Sequence, residues 1–288
     1  MRLLLFCSLL LPVMMAAEWK VDHATIAGPS LKHLREMFDL VGLRTHYGGE
    51  HTGGVTEMGL MSFPDGSYLE LIAWVNASAP HPGASWAKFM DEEGGACAWA
   101  IHVDDIGKET ARLKAANIAV QDPAPGGRRR TDGVRLEWET AGVGPGDRGS
   151  LFPFLIHDVT ARDLRVYPTG KPTTDEYGGI SKVVIAVKDL RAAIALYRRG
   201  FGLPQPKEQK DAHLGSTLAW FPGTPVILAA PLNSKTWLAQ RLAKFGEAPC
   251  AILLKDTGHP RSGDTIWFDR MVSWFDPGKL EGIQLGME

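Results

Sequence analysis

Hydrophobic and polar positions between residues 21 and 74 change period in an orderly way. An apolar run comes first. After Ser30, a good N-capping residue, Leu31, Leu34 and Phe38 lie three or four positions apart, on one face of a predicted helix. Three strand-like segments follow, RTHY, TEMGLMSF and YLELIAW, separated by a glycine-rich loop, GGEHTGG, and a tight PDGS turn. The pattern predicts one β-α-β-β-β unit.

Related segments recur further along the chain. The segment around Lys182 aligns with the segment around His23 at a displacement of 159 residues, and the segment around Cys250 aligns with that around Cys97 at a displacement of 153. Two similar offsets indicate a duplicated pair of units. The sequence therefore predicts four modules, the last without a clear helix, at about 18–75, 95–160, 178–232 and 247–288.

These modules are expected to pair. A unit of about 55 residues exposes one face of its sheet and is marginally stable alone, so two modules should pack together and leave a cleft between curved sheets. Residues 167–179 are rich in Pro, Gly, Thr and charge, and they form the predicted linker. We expect an α+β fold of four βαβββ modules in two tandem domains, 18–166 and 180–288.

The first seventeen residues have the pattern of a secretory signal peptide. Arg2 precedes an apolar run from Leu3 to Met15, and two small residues precede Glu18. This run is too short to span a bilayer core of about 30 Å. We expect residues 1–17 to be removed and the rest to be exported, periplasmic or secreted, without a stable membrane span. Because Met15 stands where a small residue is preferred for cleavage, a tethered form is the alternative.

Composition excludes several classes of protein. With 44% hydrophobic and 22% charged residues among 288, the chain can bury a full core, which argues against disorder. The net charge of −2 offers no excess of positive charge for nucleic acid. No nucleophile elbow, phosphate-binding glycine loop, dinucleotide fingerprint or paired Cys-x-x-Cys motif occurs. Cys97 and Cys250 lie in apolar strand-like runs, which favours buried free thiols over a disulfide.

Five segments, spread over roughly 21–160, resemble the motifs of one known family in the same order. They are DHATIAG, GGEHTGGVTEMGL, YLELIAW, RRRTDGVRLEWETAG and LFPFLIHD. On these segments the chain resembles the glyoxalase-like domain proteins of the vicinal oxygen chelate superfamily, which includes glyoxalase I, extradiol dioxygenases and fosfomycin-resistance proteins. The C-terminal half is similar in layout only. The resemblance implies a glyoxalase/dihydroxybiphenyl dioxygenase-like fold, with the first and last strands of each module side by side.

A metal site is implied where those two strands meet. His23 in the first strand and Glu70 in the last stand at the ligand positions, and their donors suit a divalent ion such as Fe, Mn, Zn or Ni. The second module has Ala98 and Pro153 at the corresponding positions, so the symmetric four-ligand site of glyoxalase I is absent. His51, in the glycine-rich loop, can complete a set of two histidines and one carboxylate.

Each of these three residues also has a simpler interpretation that involves no metal. His51 is alternatively an exposed loop residue or a substrate contact, and His23 a core histidine satisfied by its neighbour Asp22. Strand alternation could turn Glu70 to solvent, although Glu70 interrupts an apolar run, and an inward carboxylate without a partner costs several kcal/mol.

A run of arginines supplies candidate substrate contacts. The resemblance retains an arginine next to the Asp-Gly turn, so Arg130 is the predicted anion contact, with Trp138 on the following strand as a wall of the cleft. The alternative is that the three arginines form a solvated charged face.

Two functions remain open at this point. The first is an exported divalent-metal-dependent lyase, isomerase or dioxygenase that acts on a small oxygen-rich organic substrate. In it, His23, Glu70 and His51 hold the ion, and Glu70 serves as base when displaced. The second is a non-catalytic small-molecule binder that uses the same cleft. We expect the second domain, with Lys182 at the ligand position, to hold no metal, and the sequence is compatible with a homodimer without specifying one.

Overall fold

Three of the four strands predicted between residues 21 and 74, and the helix among them, lie where the change of period predicts them. The computed structural model describes residues 19–81, 83–92, 94–258 and 265–288, so the predicted signal peptide, 1–17, lies outside the described residues. Its first eight strands are β1 (Val21–Ala27), β2 (His46–His51), β3 (Thr56–Ser62), β4 (Tyr68–Trp74), β5 (Gly95–His102), β6 (Ala124–Arg129), β7 (Arg135–Ala141) and β8 (Phe154–Asp158). The helices among and after them are α1 (Leu31–Leu40), α2 (Ala87–Asp91), α3 (Ile106–Ala115) and α4 (Arg162–Val166).

These eight strands form one closed barrel, in the order β1-β4-β3-β2-β6-β7-β8-β5. The first strand of each module runs parallel to the last, β1 beside β4 and β5 beside β8. The modules join antiparallel through β1 and β5 on one side and through β2 and β6 on the other. Two paired βαβββ modules are therefore confirmed.

The second half repeats this layout. Its elements are β9 (Tyr177–Ala186), α5 (Leu190–Phe201), β10 (Lys207–Asp211), β11 (Ser216–Trp220), β12 (Val226–Pro231), α6 (Trp237–Phe245), β13 (Ala248–Asp256), β14 (Thr265–Trp267), β15 (Arg270–Trp274) and β16 (Gln284–Met287). They form an eight-stranded sheet in the order β10-β11-β12-β9-β13-β16-β15-β14. β9 is parallel to β12, and β13 is parallel to β16. The predicted fold class of four modules in two tandem units is confirmed.

Side-chain caps start the helices that follow the first strands. Ser30 accepts a hydrogen bond from the backbone N–H of His33 at 3.3 Å, and Asp189 accepts one from that of Ala192 at 3.0 Å. Both caps were predicted. The strand β9 begins at Tyr177, inside the predicted linker, because Tyr177 pairs with Asp256 of β13.

One large apolar cluster lies between the outer faces of the two halves. It includes Phe38 of α1, Trp99 of β5, Ile185 of β9 and Tyr197 of α5, all fully buried. The hydroxyl of Tyr197 donates to the carbonyl of Leu151 at 2.5 Å. Helices and outer sheet faces thus form the core, and the inner faces of the sheets remain available for other uses.

The inner faces of the two halves differ. The second half fills its inner face with an apolar cluster that includes Leu238 and Leu242 of α6 and Trp267 of β14.

Cys97 and Cys250 are buried free thiols, as the sequence favoured. Over the residues described, no helix has the length and apolar character needed to cross a membrane.

Candidate functional site

The barrel encloses a cavity of about 770 Å³ that opens to solvent. Strands β1 to β4 and β6 to β8 contribute to its wall because alternate residues of each strand point inward. The side chains that matter for chemistry on this wall are His23, His51, Tyr68, Glu70, Arg128, Trp138, Arg148 and Phe154.

Glu70 lies in the middle of β4 and faces this cavity together with Tyr68, Ile72 and Trp74. Only 5% of Glu70 is exposed, so the alternative that strand alternation turns it to bulk solvent is wrong. β4 is buried throughout because it lies between β1 and β3 with both its faces covered. This explains why YLELIAW is apolar apart from the one carboxylate.

Three side chains from two strands surround the Glu70 carboxylate, His23 and Thr25 of β1 and His51 of β2. The hydroxyl of Thr25 donates to Oε2 at 2.8 Å, and Nε2 of His23 lies 3.8 Å from the same oxygen. Nε2 of His51 lies 3.5 Å from Oε1. Burial acts to raise the pKa of Glu70, but His51, the charge of His23 and the Thr25 hydroxyl lower it to about 2. Glu70 is therefore ionised at neutral pH.

The other ring nitrogen of His23 is anchored by Asp22. Nδ1 lies 2.6 Å from Oδ1 of Asp22, which is fully buried and accepts two hydrogen bonds from Arg165, at 2.9 and 2.8 Å. Burial opposes ionisation of Asp22, but Arg165 and His23 hold its pKa well below the ordinary value. Because an ionised carboxylate only accepts, Nδ1 carries a proton that it donates to Asp22, and Nε2 is the ring nitrogen that faces Glu70.

His51 is the last residue of β2 rather than part of a flexible loop. Glu50 and His51 pair with Arg129 and Arg128 of β6, and this pairing extends β2 beyond the predicted RTHY segment. Nδ1 of His51 is hydrogen-bonded to Thr56 Oγ1 at 2.9 Å. The exposed-loop alternative for His51 is therefore wrong: its side chain lines the cavity and is 22% exposed.

This donor set has the chemistry of a divalent-metal site. Two ligands that are each about 2.1 Å from one ion, at an angle of about 110–130°, lie about 3.4–3.8 Å apart. The separations of 3.8 and 3.5 Å between the two imidazoles and Glu70 match that spacing. Hydrogen bonds at both Nδ1 atoms are typical of histidine ligands. Within the described part of the chain, however, no group of three or more His, Cys, Asp and Glu side chains forms a complete metal-binding set.

The second module supplies no ligand at the corresponding positions. Ala98 is buried and apolar, and the parallel pairing of Ala100 with Phe154 places Phe154, not Pro153, on the cavity wall opposite Glu70. The sequence alignment was thus one residue out of register on β8. Phe154 instead packs its ring edge-on against His23, with 5.3 Å between ring centroids.

Of the three predicted substrate contacts, Arg130, Trp138 and His51, the structure brings Trp138 and His51 to the cavity but not Arg130. The ring of Trp138 meets that of His51 edge-on at 6.2 Å. Arg130 lies beyond the end of β6 and donates to the carbonyls of Leu164 at 3.1 Å and Pro168 at 2.8 Å. Arg128, two residues earlier, lines the cavity in its place and is 4% exposed.

Sequence reasoning missed Arg148. Its guanidinium carbon lies over the rings of Trp86 and Phe154, 5.3 and 5.0 Å from their centroids, and Nη1 donates to Thr140 Oγ1 at 2.9 Å. Burial lowers the pKa of Arg148, and the charge of Glu70 opposes that change. The only sequence signal is one arginine in the irregular segment VGPGDRGS, which has no periodicity that could assign a direction.

Comparison with known proteins agrees with this architecture. Residues 21–201 match the family described as Glyoxalase-like domain. No match to a curated protein is found. A hypothetical protein from Staphylococcus aureus superposes with a TM-score of 0.64 and 17% identity, over 93% of this chain and 98% of that chain. A mutant of 4-hydroxymandelate synthase from Streptomyces coelicolor gives 0.58 and 14%, over 83% of this chain and 71% of that chain.

At these identities the two solved structures show the fold alone. The family match is stronger evidence because it covers more than half of the chain and extends from the start of β1 to the end of α5, beyond the motifs noted in the sequence. The chain therefore belongs to the glyoxalase-like domain family of the vicinal oxygen chelate superfamily.

Proposed function

We propose that this protein is a divalent-metal-dependent enzyme in which His23, His51 and Glu70 hold the ion inside the first barrel. The observation that carries the proposal is the position of two histidine Nε2 atoms 3.8 and 3.5 Å from the two oxygens of one buried, ionised carboxylate. The reaction class is that of a lyase, isomerase or dioxygenase acting on a small oxygen-rich organic substrate.

A cation accounts for this geometry better than direct hydrogen bonds. Separations of 3.5 and 3.8 Å are too long for strong hydrogen bonds between the two imidazoles and the Glu70 carboxylate. A buried charge without close compensation is costly. When bound, a divalent ion would supply Lewis acidity that polarises a substrate oxygen or stabilises an enolate.

The chain's own residues would prepare the rest of the reaction site. Asp22 holds His23 in one tautomer, Thr25 fixes the Glu70 carboxylate, and Trp138 and Phe154 provide walls against which an organic substrate can be held away from water. A pKa of about 2 makes Glu70 a weak base. Of the two roles predicted for Glu70, ligand and base, the ligand role is therefore the stronger.

Metal analysis of the purified full chain tests this proposal. We expect about one equivalent of Fe, Mn, Zn or Ni in the wild type and loss of that metal in His23→Ala, His51→Ala and Glu70→Gln. His102→Ala is the matched control, because His102 lies beside Asp158 rather than Glu70, 3.5 Å from Oδ2, and should keep the metal. A wild type that takes up none of these ions, or a Glu70→Gln variant that keeps them, would refute the proposal.

A non-catalytic binder is the second candidate. The observation that favours it is that the second module has Ala98 and Phe154 where ligands could stand. A metal-free wild type that still binds small carboxylic acids in this cavity would support the binder over the enzyme.

The second half should hold no metal in either case. Lys182, which aligns with His23, forms an ion pair with Glu288, so both side chains are already neutralised. Export of the chain and a homodimer stay predictions from the sequence.

A further inference from the structure

Arg148 is a largely buried cation that the proposed metal chemistry does not use. Its Nε atom is buried and has no hydrogen-bond partner among the described residues, and among the same residues it forms no ion pair with a carboxylate, although the charge of Glu70 acts on it. By contrast, the buried guanidinium of Arg165 contacts both Asp22 and Asp158. The buried guanidinium of Arg128 donates to the backbone carbonyls of Gly48 and Arg165. Arg148 is thus a largely buried charge that has no carboxylate in direct contact among the described residues, and the opposite charge that acts on it is that of Glu70.

The surroundings of Arg148 fix its orientation. The guanidinium carbon lies over the aromatic rings of Trp86 and Phe154, and Nη1 is tied to Thr140. Cation–π contacts of this kind hold a cation without neutralising it. Trp86 is itself fixed, because its Nε1 donates to the backbone carbonyl of Arg148 at 2.8 Å. The planar guanidinium of Arg148 is therefore held in one orientation. Such a group can donate two hydrogen bonds to one carboxylate.

Arg148 is also close to the proposed metal ligands. Both groups contact the Phe154 ring, whose centroid is 5.3 Å from that of the His23 ring and 5.0 Å from the Arg148 guanidinium carbon. These two distances limit the separation of Arg148 from the His23 ring to about 10 Å. One small molecule can therefore contact both groups.

We propose that Arg148 binds a carboxylate group of the substrate, so that the substrate is a small organic acid. The acid group would lie against Arg148 while the oxygen-bearing, reacting end lies toward His23 and Glu70. This inference rests on the proposal that the cavity is the reaction site, and it adds the class of molecule that the cavity accepts.

Matched pairs of carboxylates and neutral amides test this assignment. Calorimetric titration of the full chain with acetate, benzoate and phenylacetate, each against acetamide, benzamide and phenylacetamide, measures the preference for the charged member. We expect the wild type to prefer at least one carboxylate by about tenfold or more, because hydrogen bonds between charged groups are the strong ones. Arg148→Gln should abolish this preference, and Arg148→Lys, which keeps the charge without the planar edge, should retain part of it.

Two control variants separate this inference from the metal proposal. Arg129→Gln removes an exposed arginine that donates only to the carbonyl of Gly133, and it should keep the full preference. His23→Ala should lose metal but keep the preference if Arg148 holds the carboxylate, and lose both if the metal holds it.

The outcomes are decisive in each direction. The assignment of Arg148 is overturned by a wild type without any carboxylate preference, by a preference that persists in Arg148→Gln, or by its loss in His23→Ala. A preference that depends on Arg148 in a protein that takes up no metal would sustain the acid-binding site while the metal proposal fails. Circular dichroism of each variant confirms that it is folded.

Discussion

Glu70 shows how one carboxylate can remain charged inside a barrel. Its support comes from separate strands: Thr25 donates from β1, His23 lies beside it on the same strand, and His51 approaches from β2. Burial alone would neutralise the group, but these partners keep its pKa at about 2. The charge is thus a property of the assembled site and not of the YLELIAW segment.

The smallest change that tests this support is Thr25→Val. It removes the 2.8 Å hydrogen bond to Glu70 while nearly conserving the shape of the side chain. We expect metal affinity to fall by about 10–100-fold, because groups that orient a ligand contribute about that much. Thr110→Val on α3 is the control, since its hydroxyl donates to the carbonyl of Gly107 outside the cavity. Equal metal affinities in the two variants would show that Thr25 does not orient Glu70.

Arg165 and Arg148 differ in their side-chain partners, and these partners indicate whether an arginine is structural or free to bind a ligand. Arg165 is 1% exposed and is neutralised by Asp22 and Asp158, as expected for a structural ion pair. Arg148 contacts aromatic rings and a hydroxyl, and among the described residues it forms no ion pair with a carboxylate. The first therefore stabilises the barrel, and the second is left for a ligand.

At the scale of elements, the pairing of β2 with β6 decides the position of His51. The two strands come from different modules, and they pair through Glu50 with Arg129 and through His51 with Arg128. The close approach depends on Gly49, whose φ is 107° and where an added Cβ would lie 2.1 Å from the carbonyl oxygen of Arg129. A side chain at this position cannot be accommodated without separating the strands.

Gly49→Ala should therefore weaken both the barrel and the metal site. We expect a loss of more than about 2 kcal/mol in the free energy of unfolding, together with reduced metal affinity because His51 moves with its strand. Gly53→Ala is the matched control. Gly53 has a similar φ of 99°, but an added Cβ there meets nothing within 4 Å. Urea unfolding and metal titration measure the two effects, and equal behaviour of the two variants would contradict the steric argument.

At the scale of the whole molecule, the same module layout is used twice for different purposes. The second half fills its inner face with apolar side chains and with α6, whereas the first half leaves a cavity of about 770 Å³. In the first half, a network of ion pairs connects strands β1 and β8 of the barrel to helix α4. The network consists of Asp22, Asp158, Arg162 and Arg165.

This network makes stability depend on acid. Because the pKa of Asp22 is held well below its ordinary value of 3.8, its contribution is fully present above that pH and is lost as the pH falls below it. We expect Asp22→Asn to lower the free energy of unfolding by about 3–5 kcal/mol at pH 7, because it leaves Arg165 buried with one partner fewer. The variant should also lose less stability than the wild type between pH 4 and pH 2.

Urea unfolding of chelator-treated protein across this pH range measures both effects. Asp163→Asn, an exposed change on the same helix as Arg165 but outside its ion pairs, is the control and should follow the wild type. If Asp22→Asn has the acid sensitivity of the wild type, then Asp22 is not the titrating group.

The sequence by itself determined the order of elements and the two central ligand candidates. Hydrophobic period and helix caps act within a few residues, so β1, α1, β3 and β4 lie where their patterns predict them. Glu70 was identifiable because one carboxylate in a fully apolar strand needs a partner, and His23 because it lies on the strand that the resemblance places beside it.

Tertiary structure alone decided the remaining positions, because they depend on strands that are far apart in sequence. His51 became a strand residue only through its pairing with Arg128, and the register of β8 placed Phe154 rather than Pro153 toward the cavity. The choice of Arg128 over Arg130, and the burial of Arg148 among aromatic rings, follow from closing the barrel. Local pattern specifies which elements form, whereas long-range pairing and packing specify which side chains share a cavity.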